Sequence, residues 1–276
     1  MLYSFSILFG ICLGSFLNVC RYRIPKNESI VYPSSHCPEC FSKIKWYYNI
    51  PIFSWIWLKG NCYYCKAKIN ISYLLLEILT PILFVFNLYS SPSLSDYPLV
   101  NLLGINILTL YFLLISFIDY VTYKIPNIII LLGSITGLIF TIISKSLSPI
   151  DNALLGFIIH LSSGLLGFIL LEFIVFFIAL LINKNAFGMG DSKYLFLIGT
   201  WLGLKGMFLS FLLAIYLGGA ITLFLLLISK IKRGQKIPFG PYLSIGGYLV
   251  CLYGEEFWIS LIRKIFLISQ NLLYNL

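Results

Sequence analysis

Long apolar runs, too many for a water-soluble fold of this size to hide, constrain the chain more than any other feature. Eight stand out, at residues 2–20, 73–89, 99–118, 128–143, 153–182, 194–204, 207–229 and 241–253. Crossing the hydrocarbon of a bilayer takes ~20 apolar residues. The runs 194–204 and 241–253 fall short of that, so they must extend into their flanks or be shielded by neighbours. The run 153–182 is long and carries Gly156, Gly164 and Gly167, which allows tilting or kinking. Hydrophobic residues make up 59% of the 276 residues and charged ones 11%, against about 25% charged in soluble domains. The excess apolar surface must face lipid, where helices satisfy their own backbone groups. The expected fold is therefore an all-α membrane protein of about eight transmembrane helices.

The first run has no basic residue before it, and Arg21 and Arg23 follow it. A secretory signal has the opposite order, so 2–20 is expected to stay as the first span. If residue 1 lies outside, the segments 21–72, 119–127, 183–193 and 230–240 lie inside. They carry 15 of the 19 Lys and Arg residues, and the outer segments carry only Lys145, Lys205, Arg263 and Lys264. Basic residues concentrate in cytoplasmic loops, so the net charge of +9 reads as membrane topology and not as a nucleic-acid surface. The expected organisation is a first span at 1–20, a cytoplasmic four-cysteine loop domain at 21–72, a membrane core at 73–256, and an interfacial helix or tail at 257–276. No internal repeat stands out.

The loop between the first two spans contains Cys37-Pro38-Glu39-Cys40 and Cys62-Tyr63-Tyr64-Cys65. Two C-x2-C pairs let thiolates from two tight turns meet one tetrahedral metal. The 21 residues between them are one more than the usual spacing. On the reducing side of a membrane a metal is favoured over disulfides. Zinc on Cys37, Cys40, Cys62 and Cys65 is expected, as a closed structural site with no position left for water. Four free thiols or a redox pair are the alternatives. Cys12, Cys20 and Cys251 lie in or beside apolar runs and read as small buried hydrophobes.

Glu77, Asp119, His160, Glu172 and Asp191 lie in or against apolar runs, where ionisable groups are costly and mark functional candidates. Asp119 ends the third run, and Asp191 sits in Gly188-Met189-Gly190-Asp191 before the sixth. Charge counting puts both at the cytoplasmic edge. Two carboxyl groups at one depth can share a proton. The charged one then activates water while the neutral one protonates a carbonyl oxygen, which is aspartic-peptidase chemistry. Gly188 and Gly190 permit a tight turn, and Pro126 restricts the chain before the fourth run. Taken singly, each aspartate also reads as a solvated loop acid or helix cap. Glu77 is a candidate for binding an amine, His160 for helix packing, Glu172 for pairing inside the bundle, and Asn18 for a hydrogen bond across helices. Lys193 reads as a headgroup anchor or as a partner for Asp191 or substrate.

These residues together resemble the prepilin peptidases, the type IV leader peptidases of bacterial pilus and type II secretion systems. The resemblance covers nearly the whole chain. It is carried in order by Gly14-Ser15-Phe16-Leu17-Asn18-Val19, both C-x2-C pairs, Trp46 to Pro51, Ile71-Ser72-Tyr73 leading to Glu77, Asp119 with Pro126-Asn127, Gly188 to Lys193, and Pro238-Phe239-Gly240-Pro241. It implies a membrane aspartic endopeptidase with Asp119 and Asp191 catalytic and the four cysteines on zinc. The implied substrates are prepilins or pseudopilins with a basic leader, cut after a glycine at the cytoplasmic face of a bacterial inner membrane. The resemblance also implies methylation of the new N-terminus with S-adenosylmethionine, with no residue assigned to it. A transporter with buried acids and a zinc-bearing membrane scaffold are the competing readings.

Overall fold

The computed structural model describes residues 1–90, 98–147, 152–182, 188–232 and 235–274. The regular elements among the described residues are helices, with no strand. The long helices are α1 (Leu2–Arg23), α3 (Ile71–Ser90), α4 (Pro98–Thr122), α5 (Asn127–Leu147), α6 (Ala153–Ile182), α7 (Met189–Leu227) and α8 (Gly240–Tyr274). The short α2 (Phe53–Trp57) lies in the first loop. Seven helices among the described residues are long and apolar enough to cross a membrane. The chain divides into two compact units, Met1–Ile118 and Asp119–Leu276.

In unit 1, small residues let α1 lie directly on α3. A Cβ added to Gly10 would stand 2.6 Å from the Pro81 Cα, and one on Gly14 would stand 3.0 Å from the Glu77 Cα. Close backbone approach of this kind is how helices associate in lipid, where no hydrophobic force acts between them. Asn18 donates to the Tyr73 carbonyl at 2.9 Å, the cross-helix bond expected of it. Arg21 donates to Ser72 Oγ at 2.8 Å and stacks 4.8 Å from the Tyr73 ring centroid.

The loop after α1 holds a repeat that hydrophobic patterning passes over. His36 to Lys45 and Asn61 to Asn70 fold alike. Cys37 N–H donates to the Ser42 carbonyl and Cys62 N–H to the Ala67 carbonyl, at 3.1 and 2.8 Å. Phe41 and Lys66, each just after the second cysteine of its pair, take φ of 56° and 59°. Isolated bridges His36–Lys43 and Asn61–Lys68 close both turns. Only the cysteines and the Lys-Ile pair three and four positions after the second cysteine (Lys43-Ile44 and Lys68-Ile69) recur, so the sequence signal is thin.

In unit 2, α7 is two antiparallel arms and not one rod. The Tyr194 hydroxyl bonds Ser244 Oγ at 2.6 Å, and a Cβ on Gly246, two residues further along α8, would stand 3.2 Å from the Ala214 nitrogen. In a straight helix Tyr194 and Ala214 would be about 30 Å apart. The chain turns back at Gly203, whose φ of 70° and ψ of −173° belong to a region open essentially to glycine. The expected spans 194–204 and 207–229 are these arms, so eight apolar runs map onto seven helices. The first arm is too short to cross lipid alone, and it is shielded: Tyr194, Leu195, Leu197 and Ile198 are fully buried. A similar break at Gly254 (φ 76°, ψ 162°) ends the run 241–253. Beyond it, Trp258 Nε1 returns to the Leu249 carbonyl at 3.2 Å.

The first arm of α7 packs on α6 and α5 through glycines. A Cβ on Gly199 would meet the Gly164 backbone at 2.7 Å, and one on Gly137 would meet the Trp201 ring at 2.6 Å. Trp201 Nε1 donates to the Gly133 carbonyl at 2.8 Å. His160 bonds Thr141 Oγ1 at 3.3 Å and the Thr200 carbonyl at 3.2 Å, as a packing histidine would.

Because backbone cannot yield as a side chain can, Gly199→Leu is expected to lower the melting temperature of the detergent-purified protein by roughly 5 °C or more. Gly219→Leu, where an added Cβ meets nothing within 4 Å, is expected to change it little. Equal melting of the two variants would contradict the α6–α7 contact.

Candidate active site and cysteine cluster

Asp119 sits in the last turn of α4, where the helix dipole disfavours negative charge. Its Oδ2 accepts the backbone N–H of Gly240 at 2.8 Å. Gly240 opens α8, so the positive end of that helix offsets the unfavourable end of α4. The contact needs glycine: a Cβ there would stand 2.7 Å from Oδ2 and 3.1 Å from the Asp119 Cγ. Pro238-Phe239-Gly240-Pro241 is thereby the strap that holds Asp119. Ser244, one turn into α8, donates to the Gly240 carbonyl at 2.9 Å and bonds the fully buried Tyr194.

Asp191 uses the start of α7 in the same way. It is the third residue of that helix, and its Oδ2 accepts the Gly188 N–H at 3.2 Å. Gly190 lies close to Ile125, with an added Cβ 3.4 Å from the Ile125 Cβ. Lys193 reaches from the same turn to Asn127, donating to Oδ1 at 2.9 Å. The G-x-G-D turn therefore rests on Ile125 and Asn127, at the connection between α4 and α5, six and eight residues past Asp119.

Unit 2 brings Asp119 and Asp191 to the same end of its bundle. Both are buried, at 5% and 9% exposure, and they lie within electrostatic reach of each other. Each carboxylate has one oxygen fixed by a backbone N–H at a helix start. The Oδ1 of each makes no hydrogen bond to a described residue. Two fixed carboxyl groups with unengaged oxygens can handle a proton between them and a third molecule.

Glu77 belongs to unit 1, where its Oε2 accepts the Ile52 N–H at 2.7 Å. Lys193 engages Asn127 and not an aspartate. Glu172 has a buried Oε1 without a hydrogen-bond partner among the described residues. Sequence reasoning singled out Pro238 to Pro241 without giving it a job; only the fold shows that its glycine N–H meets an aspartate 121 positions earlier.

The sulfurs of Cys37, Cys40, Cys62 and Cys65 all lie within 4.8 Å of one another, and Cys37 Sγ is 3.8 Å from Cys65 Sγ. Four sulfurs at about 2.3 Å from a common centre form a tetrahedron with edges of about 3.8 Å. The cluster fits a zinc knuckle pair. The hydroxyl and N–H of Ser42 donate to the Cys40 sulfur and hold its thiol down, to about 6. This favours the thiolate that binds metal.

The family model described as "Bacterial Peptidase A24 N-terminal domain" matches residues 8–91, and that of the "Type IV leader peptidase family" matches residues 106–223. Curated relatives align nearly end to end. The protein named "Prepilin leader peptidase/N-methyltransferase" from Aeromonas hydrophila is 30% identical over 92% of this chain and 91% of its own length. Its namesake from Pseudomonas aeruginosa is 30% identical over 91% and 90%, and that from Pseudomonas putida 28% over 93% and 92%. No solved structure matches the chain.

Tyr194→Phe removes a fully buried hydrogen bond, a change that costs about 1–2 kcal/mol. The variant is expected to melt several degrees below the parent, with Ser244→Ala behaving alike. Unchanged melting in both would show that this bond does not brace the start of α8.

Proposed function

Because the chain belongs to the type IV leader peptidase family, we propose that it is a membrane aspartic endopeptidase that removes the basic leader from prepilins or pseudopilins and N-methylates the new terminus. The observation that carries this is the pair Asp119 and Asp191, each pinned by one oxygen at a helix start and each presenting the other. The names of the relatives supply the substrate class and the second activity.

In this reading one of the two carboxyl groups is ionised and the other holds the shared proton. The ionised one takes a proton from a water as that water attacks the scissile carbonyl, and the neutral one gives its proton to the carbonyl oxygen. Collapse of the tetrahedral intermediate returns a proton to the leaving amine. General acid–base help of this kind contributes typically 10²–10⁴-fold. Gly240 acts only by position, keeping Asp119 Oδ2 on a backbone N–H.

The basic-residue asymmetry supports a bacterial inner-membrane orientation with residue 1 outside and the aspartates at the cytoplasmic face. A prepilin's basic leader would stay cytoplasmic while its apolar helix lies in the bilayer, which brings the scissile bond to that depth. In the cysteine loop, zinc held by Cys37, Cys40, Cys62 and Cys65 would cross-link the two turns of the repeat. A closed four-thiolate shell has no catalytic position, so its role would be structural. Transport through buried acids accounts for neither the cysteine cluster nor the strapped aspartates.

Asp119→Asn and Asp191→Asn are each expected to lower leader removal at least about 100-fold in co-expression with a prepilin, followed by gel shift, while the variants still insert. Gly240→Ala is expected to slow cleavage by displacing Asp119. Normal processing by both aspartate variants would end the mechanism.

Purified protein is expected to carry one zinc per chain by elemental analysis. Combined Cys37→Ser and Cys62→Ser replacement is expected to release the metal and loosen residues 21–72 to proteolysis. Full metal content after replacing all four cysteines would refute the site.

A further inference from the structure

Two aspartates do not transfer methyl groups, so the second activity in the relatives' names needs a site of its own. The donor class is a sulfonium that carries an α-amino-acid end and a nucleoside end. Recognising it takes acceptors for the ammonium, a donor for the carboxylate, and aromatic faces for the cation and the base. Unit 1 contains a cavity with that chemistry. Its volume is about 380 Å³, within the roughly 300–1,000 Å³ of small-molecule sites. Asn18, Tyr73 and Glu77 line it from α1 and α3, and Tyr48, Trp55 and Tyr63 from the cysteine loop.

The polar groups of this cavity are unfinished. Asn18 is 5% exposed, and its Nδ2 donates to the Tyr73 carbonyl at 2.9 Å and to Glu77 Oε1 at 3.3 Å. Its Oδ1 has no hydrogen-bond partner among the described residues. A buried acceptor left so costs about 1–3 kcal/mol, and a ligand N–H would relieve it. Among the described residues Glu77 is bonded by the Ile52 N–H and the Asn18 amide, both neutral groups. A carboxylate inside a membrane span with only neutral partners calls for a cation. Trp55 Nε1 is buried without an acceptor among the described residues.

The backbone is strained to hold this arrangement. Ile52 takes φ 64° and ψ −56°, and Phe53 N–H donates to the Pro51 carbonyl at 2.7 Å. This is the rare γ-turn, with a β-branched residue at its centre, where positive φ is a true outlier. The turn aims the Ile52 N–H at Glu77 Oε2. Strain kept in this way clusters at ligand sites.

We propose that this cavity is the methyl-donor site, with Glu77 and Asn18 Oδ1 holding the donor's ammonium and Tyr48, Trp55 and Tyr63 taking its sulfonium and purine portions. The assignment rests on the bifunctional reading above. In the transfer, the peptide's free amine gives its lone pair to the methyl carbon, the carbon–sulfur pair stays on sulfur, and one proton leaves the nitrogen to water.

The test uses the full-length protein in lipid nanodiscs and needs no peptide cleavage. S-adenosyl-L-methionine with a tritiated methyl group is photo-cross-linked to the wild-type protein and the labelled peptides are mapped. Label is expected within residues 46–77. Equilibrium binding of S-adenosylhomocysteine is then compared across variants. Glu77→Gln is expected to weaken it about 10- to 100-fold, Asn18→Leu less, and Glu77→Asp to recover part of the loss. Label confined to unit 2, no label at all, or wild-type binding by Glu77→Gln would each overturn the proposal. Occupancy by the processed peptide's own amine would show as competition by a free-amine peptide without donor cross-linking, and would also overturn it. The cross-linking arm uses no variant, so a misfolded mutant cannot decide the outcome. Loss of the peptidase reading would appear separately, as normal cleavage by the aspartate variants.

Discussion

The Gly240 N–H to Asp119 Oδ2 hydrogen bond organises unit 2. A carboxylate in the last turn of α4 is badly placed, facing the negative end of its own helix in a medium that solvates charge poorly. Bringing the start of α8 against it supplies a backbone donor and the opposite dipole end. The remaining packing keeps α8 there. Ser244 holds the Gly240 carbonyl, Tyr194 holds Ser244, and Tyr194 stands on the same short arm as Asp191. One buried chain of bonds thus fixes both aspartates against the same two helices.

Much of this is written locally in the sequence. Apolar length specified the helices, and the basic asymmetry fits their expected direction. Asp119, Asp191 and the cysteines stood out as candidates because ionisable and thiol groups are costly or conspicuous among apolar neighbours. Other features depend on partners far along the chain. Nothing near Gly203 states that the chain doubles back there, since a glycine among apolar residues also suits a straight helix. Nothing near Gly240 states that an aspartate will meet it. The repeat of the two cysteine turns lies in their hydrogen bonds more than in their side chains, and Ile52 at positive φ contradicts its own propensity. Such departures from local preference are expected where a structure serves a ligand.

The two units divide the chemistry as well as the chain. Unit 2 is a lipid-embedded bundle in which glycines permit backbone contact and backbone N–H groups at two helix starts hold the acids. Unit 1 joins two spans to a loop that leaves large apolar side chains such as Phe41, Trp46, Phe53 and Trp57 exposed and packs little core of its own. Four sulfurs at tetrahedral spacing are a compact substitute for that missing core, and the aromatic residues between the two turns are thereby free to line a cavity.

Both aspartates are gripped by peptide nitrogens and not by side chains. A main-chain donor cannot be removed by point mutation short of proline, and its direction follows from the helix it begins. The grip therefore asks only for an absent Cβ at Gly240 and a helix start after Gly188. Selection can rewrite almost every neighbouring side chain, adapting the surrounding surface to new cargo, while the acids keep their posture.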